Sequence, residues 1–126
     1  MNLAVREATP NDEADAMFLL DGAMLEADAE TVRRRIESGS VLVAESGDDG
    51  RLVGVCVLNG TEIAQIAVRR QRRGRGVGSE LVAAADARVD GTVTAEFGDR
   101  VRPFYESLGF EIRETENEGR FRGVLR

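Results

Sequence analysis

The stretch Ile63–Val89 constrains the chain more than any other, because it joins an apolar strand, a glycine- and arginine-rich turn and a helix without a break. The strand Ile63-Ala64-Gln65-Ile66-Ala67-Val68 is apolar at nearly every position. The turn runs from Arg69 to Gly78, with glycines at 74, 76 and 78 among five arginines. The helix follows to Val89, and Leu81, Val82, Ala85 and Val89 recur at helical spacing as one buried stripe. Glycine lets a backbone turn sharply and brings its N–H groups close to a ligand with no Cβ in the way. Those N–H groups are also the unsatisfied donors of a helix start, where the dipole favours negative charge. The stretch reads as a phosphate cradle.

Two familiar phosphate loops do not fit it. A Walker loop needs Gly-x-x-x-x-Gly-Lys, and the chain has no lysine. A dinucleotide fingerprint would need a third glycine or alanine where Ser79 stands. Composition narrows the ligand further. The net charge is −6 in 126 residues, so the arginine cluster sits on an acidic body. That balance suits a small polyanion better than a nucleic acid, whose partners are usually basic overall, and it counts against RNA binding through the Arg-Gly repeats at 72–76. Taken singly, Arg69, Arg70 and Arg72 read most simply as a solvated turn.

The chain is long enough for one domain with one core. No histidine and one cysteine, Cys56, exclude a His-based triad and argue against any metal site. Cys56 cannot form an internal disulfide, no apolar run reaches membrane-span length and no signal-peptide pattern opens the chain, so a cytoplasmic location without membrane attachment is expected.

From the N-terminus, Asn2–Ala8 is expected as a strand, with Thr9 capping a helix that has Pro10 in its first turn. Ala14, Met17, Phe18 and Met24 or Leu25 are expected on its buried face. A second helix is expected over Ala29–Ser38, stopping at Gly39. Val41–Glu45, Leu52–Leu58 and Thr61–Val68 form an antiparallel meander, turned at Ser46–Gly50 and at Asn59-Gly60. After the central helix, Thr92–Phe97 is a strand, reached by a right-handed parallel crossover. A short helix over Val101–Leu108 and the strands Phe110–Glu114 and Arg120–Leu125 complete the chain. The expected fold is a single α+β domain with a mixed sheet, mostly antiparallel with one parallel pair. The cradle then lies at the carboxyl end of the first parallel strand, where ligands bind in open sheets.

Two motifs resemble a known family. Arg73-Gly74-Arg75-Gly76-Val77-Gly78, five residues past the strand, resembles the Arg/Gln-x-x-Gly-x-Gly/Ala signature of the GNAT (Gcn5-related) N-acetyltransferases. Phe104-Tyr105-Glu106-Ser107-Leu108-Gly109-Phe110 resembles the element that ends that family's coenzyme-binding region. With the strand layout, the likeness covers residue 41 to the end, while the first 40 residues match in general pattern only. One departure is Gly98, where many members place an asparagine seven residues before the tyrosine.

The resemblance implies acetyl-coenzyme A as co-substrate, no metal, and a primary amine on a small molecule or peptide as acceptor. It implies that the amides of Arg73, Gly74, Arg75, Gly76, Val77, Gly78 and Ser79 hold the pyrophosphate. A backbone N–H from Ile66, Ala67 or Val68 would polarise the thioester carbonyl. Tyr105 matches the position that often protonates the departing sulfur, although a lone tyrosine would otherwise read as an aromatic covering the core. A base is harder to assign: Glu62 opens the central strand, Glu96 lies near the end of its parallel partner, and ordered water is a third option. A catalytically silent acyl-coenzyme A sensor on the same fold is the competing reading. The terminal strands offer a route to a homodimer.

Overall fold

Turn chemistry and strand alternation build the first half of the sheet. The structure, a computed structural model, describes residues 2–23, 25 and 27–125. Strand β1 (Leu3–Glu7) leads through a single 3-10 turn to α1 (Glu13–Gly22), then α2 (Ala29–Glu37). Next come β2 (Val41–Ser46), β3 (Leu52–Asn59) and β4 (Glu62–Val68). The helix α3 (Val77–Arg88) crosses to β5 (Thr94–Gly98), and α4 (Arg102–Ser107) leads to β6 (Phe110–Glu114) and β7 (Arg120–Leu125). The seven strands form one sheet in the order β1-β2-β3-β4-β5-β7-β6, antiparallel except for the β4/β5 pair. The expected α+β class and mixed topology hold.

Helices cover the sheet from two sides. On one face, Leu42, Ala44, Cys56, Leu58 and Ile63 pack against Val77, Leu81, Val82 and Ala85 of α3. Gly54, in the middle of β3, makes this contact possible: a Cβ there would lie 2.8 Å from Val77 Cγ1 and 2.9 Å from Leu81 Cδ1. On the other face, Val41, Val43, Val55, Val57 and Ala67 pack against Ala16, Leu19 and Leu20 of α1 and Val32 and Ile36 of α2. Each such valine, leucine or isoleucine side chain, fully removed from water, contributes about 1.5–3 kcal/mol. The α1/α2 layer stops at β4, because α1 packs on β3 and β4 and α2 on β2 and β3. Among the described residues no helix packs closely on the same face of β5, β7 and β6, where Glu96, Arg120, Arg122 and Arg113 are exposed.

Several expectations change. Thr9 is the N-cap, but of a 3-10 turn over Pro10–Asp12 rather than of α1 itself; Asp12 reaches back to it, its carboxylate accepting from the Thr9 N–H at 2.7 Å and from Arg6 Nη1 at 2.7 Å. The turn between β3 and β4 is Gly60-Thr61 rather than Asn59-Gly60, since Asn59 already pairs with Glu62. On α1, Ala14 is exposed, Phe18 is 65% exposed and Met17 is half-buried, while Ala16, Leu19 and Leu20 face the core. Apolar residues ring this helix, so their spacing left its inner face ambiguous. Met24 lies outside the described residues; Leu25 packs at the core's edge. Strand β5 begins two residues late, at Thr94, and the helix expected from Val101 begins at Arg102 after a 3-10 turn over Asp99–Val101.

Candidate functional site

The loop between β4 and α3 is shaped by two left-handed glycines. Gly74 has φ +77° and Gly76 φ +85°, a region that residues with a Cβ rarely adopt. Gly76 caps α3, and the first return bond of the helix runs from the Glu80 N–H to the Gly76 carbonyl at 3.0 Å. Among the described residues, the amides of Gly74, Arg75 and Gly76 donate to no other backbone carbonyl. The amides of Val77, Gly78 and Ser79 belong to the first turn of α3, which has no intrahelical acceptors for them. Six consecutive donors thus sit at the positive end of a twelve-residue helix.

The arginines around this turn divide by task. Arg69 clamps the loop to β3, its Nε and Nη2 donating to the Leu52 carbonyl at 3.1 and 2.8 Å. Arg73 folds back so that its Nε donates to the Val68 carbonyl at 3.1 Å. Arg75 turns the other way, to a shallow hollow shared with Asn2, Leu3, Gly76 and Glu80. Gly78 serves packing as well as donation: a Cβ there would stand 2.6 Å from Phe104 Cε1, so α4 closes onto α3 at this point. Val77 buries its side chain in the core and leaves only its amide for a ligand.

Beside the loop, the two parallel strands part. The register between β4 and β5 holds for only two pairs, Glu62↔Thr94 and Ile63↔Ala95. A bulge at Ala64 breaks the β3/β4 register at this point, between Val57↔Gln65 and Leu58↔Ile63. The bulge puts Ile63, Ile66 and Val68 on one face and Ala67 on the other. The Arg69 N–H donates to the Val53 carbonyl at 2.7 Å, so 69 and 53 are a hydrogen-bonded pair. Antiparallel alternation makes Ala67↔Val55 the next such pair and turns the amides of Ile66 and Val68 away from β3, toward the gap. Of the three expected carbonyl donors, Ile66 and Val68 therefore face the gap, and Ala67 is spent in the ladder.

The gap opens a cleft of about 1270 Å³, running from the glycine turn past β4 and β5 to the end of α1. Tyr105 forms part of its wall. Its ring is stacked on Phe97 (centroids 4.3 Å apart) and meets Phe104 and Phe110 edge-on at 5.0 and 5.1 Å. Only 5% of the residue is exposed, and burial, with the Cys56 thiol nearby, holds the phenol well above its ordinary range. Cys56 itself is fully buried in the core, its thiol pushed up to about 12 by burial. It is a core residue and inert as a nucleophile.

The two candidate acids are placed differently. Glu96 is exposed on β5 and lines the cleft. Glu62 sits at the closed end, in register with Asn59 and Thr94, and is not among the lining residues. Gly98, at the end of β5, has no side chain to fill the wall, and the Arg120 guanidinium lies alongside. The bulge and the approach of Arg120 were not read from the sequence. The signal for the first was the spacing of Ile63, Ile66 and Val68, three and then two residues apart. Arg120 carried none, because it reaches the site only through the β5/β7 pairing.

The described residues include no group of acids, cysteines and histidines able to hold a metal, and no helix long and apolar enough to cross a membrane. The arrangement can hold a diphosphate on amides and seat an extended chain between β4 and β5. Chains of the same fold are known. A GNAT-family acetyltransferase from Streptococcus agalactiae superposes with a TM-score of 0.80 at 15% identity, over 98% of this chain and 94% of its own. One from Bacillus cereus gives 0.79 at 15% identity, over 98% and 95%. Rv2747 from Mycobacterium tuberculosis, solved in complex with CoA and NLQ, gives 0.77 at 20% identity, over 97% and 98%. No curated protein sequence matches the chain significantly. The sequence model described as acetyltransferase (GNAT) domain matches residues 37–112, which hold the glycine turn, the parting strands and Tyr105. With that match over more than half its length, the chain belongs to the GNAT acetyltransferase family.

Proposed function

We propose that this protein transfers an acetyl group from acetyl-coenzyme A to a primary amine by direct attack. The observation that carries the reading is the joint placement of two sets of open amides. Those of residues 74–79 lie together at the start of α3, and those of Ile66 and Val68 face the adjoining gap. That pairing fits a coenzyme with a diphosphate at one end and an extended pantetheine arm. CoA in the related Rv2747 structure supports the same ligand.

The coenzyme supplies an activated thioester: a C–N bond forms as the C–S bond breaks. The chain's residues do the rest. The Ile66 and Val68 amides stabilise the carbonyl oxygen as charge builds on it. Glu96 accepts the proton that the amine must lose, directly or through one water; Glu62, at the closed end, would need a chain of waters for the same task. Tyr105, kept as a neutral phenol by its burial, hands its proton to the leaving sulfur. A single buried thiol accords with a cytoplasmic setting. Calorimetry with acetyl-coenzyme A should give a dissociation constant in the micromolar range usual for substrates, about 1 µM to 1 mM. Thiol release should follow when amines are added. Absence of binding removes the reading, and binding without release from any amine points to a sensor instead.

A further inference from the structure

The open half of the sheet carries a charge pattern apart from the open amides of the glycine turn and β4. Ala95 and Phe97 of β5 and Phe121 and Gly123 of β7 point into the core, so Glu96, Arg120 and Arg122 share the opposite, uncovered face. The register sets Arg122 across from Glu96, and Arg120 across from Gly98. Glu96 and Arg120 are therefore diagonal neighbours, about 7–8 Å apart. Because Gly98 has no side chain, the Arg120 guanidinium comes over β5, and its Nη1 stands 3.8 Å from where a Gly98 Cβ would be. Both residues line the cleft. Among the described residues, neither has an ion-pair partner within 4 Å.

A carboxylate and a guanidinium that do not pair with each other, on diagonal positions of one wall, leave room for a small ligand that bridges them with its own opposite charges. We infer that the acceptor is a small zwitterion of the amino-acid class. Its ammonium lies against Glu96, which then takes its proton, and its carboxylate lies against the fork of Arg120. This rests on the acetyltransferase reading above. The rest of the rim agrees. Arg72, Arg73, Arg100 and Arg120 outnumber Glu96 and Asp99 along the cleft, although the whole chain carries −6. A polyamine would meet net repulsion there, whereas an anionic amine is drawn in. A peptide N-terminus offers the ammonium, but its own carboxyl is an amide with nothing for Arg120 to hold.

The test compares thiol release from acetyl-coenzyme A with L-alanine, L-leucine and L-glutamate against the three matching α-carboxamides, each rated per neutral amine. At least one free acid should exceed its amide by about 10- to 100-fold in kcat/KM, the discrimination expected of a charged hydrogen bond. Arg120→Gln should erase that ratio by raising KM for the acid. The coenzyme affinity measured by calorimetry and the melting temperature should stay unchanged, because Arg120 is exposed and stands on β7 rather than in the glycine turn. Amides that match or beat the acids in the unmodified protein overturn the inference while leaving acetyl transfer standing. So does a ratio that survives Arg120→Gln, or release confined to spermidine or a dipeptide. Coenzyme binding with no release from any amine overturns both.

Discussion

Tyr105 is held on three sides by aromatic rings, so its hydroxyl has little freedom beyond its own rotation. Removing that oxygen leaves the stacking with Phe97 and the shape of the wall intact. Tyr105→Phe should therefore lower kcat while leaving coenzyme affinity near its original value. General acid catalysis is worth about 10²–10⁴-fold, and a loss at the lower end is expected because the thiolate is a fair leaving group. Steady-state thiol release together with calorimetry reads both quantities, and unchanged turnover would take Tyr105 out of the mechanism. Gly76 makes a sharper case. Its φ of +85° strains any residue with a Cβ, and among the described residues no atom beyond the adjoining backbone lies within 4 Å of where one would point. On the proposed reading that open space takes the diphosphate, so Gly76→Val would both strain the cap and fill the cradle. Coenzyme binding should fall below detection by calorimetry, and retained affinity would contradict the placement of the diphosphate.

At the scale of elements, the close approach of Phe104 on α4 to Gly78 on α3 links the two halves of the site. Gly78 lies in the first turn of α3 beside the open amides of the glycine turn, and Phe104 is the immediate neighbour of Tyr105. A methyl at Gly78 would overlap the Phe104 ring, at 2.6 Å from Cε1 and 2.9 Å from Cζ. Gly78→Ala should cost about 1–3 kcal/mol in urea unfolding, as overpacking usually does, and weaken coenzyme binding as well. Phe104→Ala in the same chain should recover part of both losses by making room. If the double variant is no better than the additive sum, the helices are not coupled there. How legible elements were from the sequence follows the same physics. Strand β4, the glycine turn and α3 could be read because apolar period, left-handed glycines and a helix stripe all point to one arrangement. The inner face of α1 could not, since Ala14, Met17, Phe18, Leu19 and Leu20 surround it and only the sheet decides which are covered. The bulge at Ala64 and the reach of Arg120 across Gly98 depend on which strands pair. One chain's residue order carries that only weakly.

At the scale of the whole molecule, the chain's titration is unusually simple, and this isolates one buried group. With no histidine and no lysine, few side chains other than Cys56 and Tyr105 change charge between pH 5 and 11. On the acid side, Asp12 is held below its ordinary range first by the hydrogen bond from Arg6, and Glu13 and Asp28 likewise by Arg33 and Thr31. A depressed carboxylate stabilises the fold above its unfolded value, near pH 4, and that stability is lost as pH falls through the folded value. Cys56 has the opposite sign. Its thiol titrates near 8.5 when unfolded but is pushed up to about 12 in the fold. Below pH 8.5 both states are protonated and its contribution is complete. Above it the unfolded chain releases a proton that the folded chain keeps, so stability falls with rising pH. Tyr105 adds the same trend about 1.5 pH units later, since an unfolded phenol is half-ionised only near pH 10. The window from pH 9 to 10 belongs mainly to Cys56. Urea unfolding should show a plateau from about pH 5 to 8, then a decline approaching 1.4 kcal/mol per pH unit between 9 and 10. Cys56→Ala, which lowers the plateau by leaving a small void, should nevertheless remove most of that slope. Equal slopes in the two proteins would mean that Cys56 is not kept protonated by the core between α3 and the sheet.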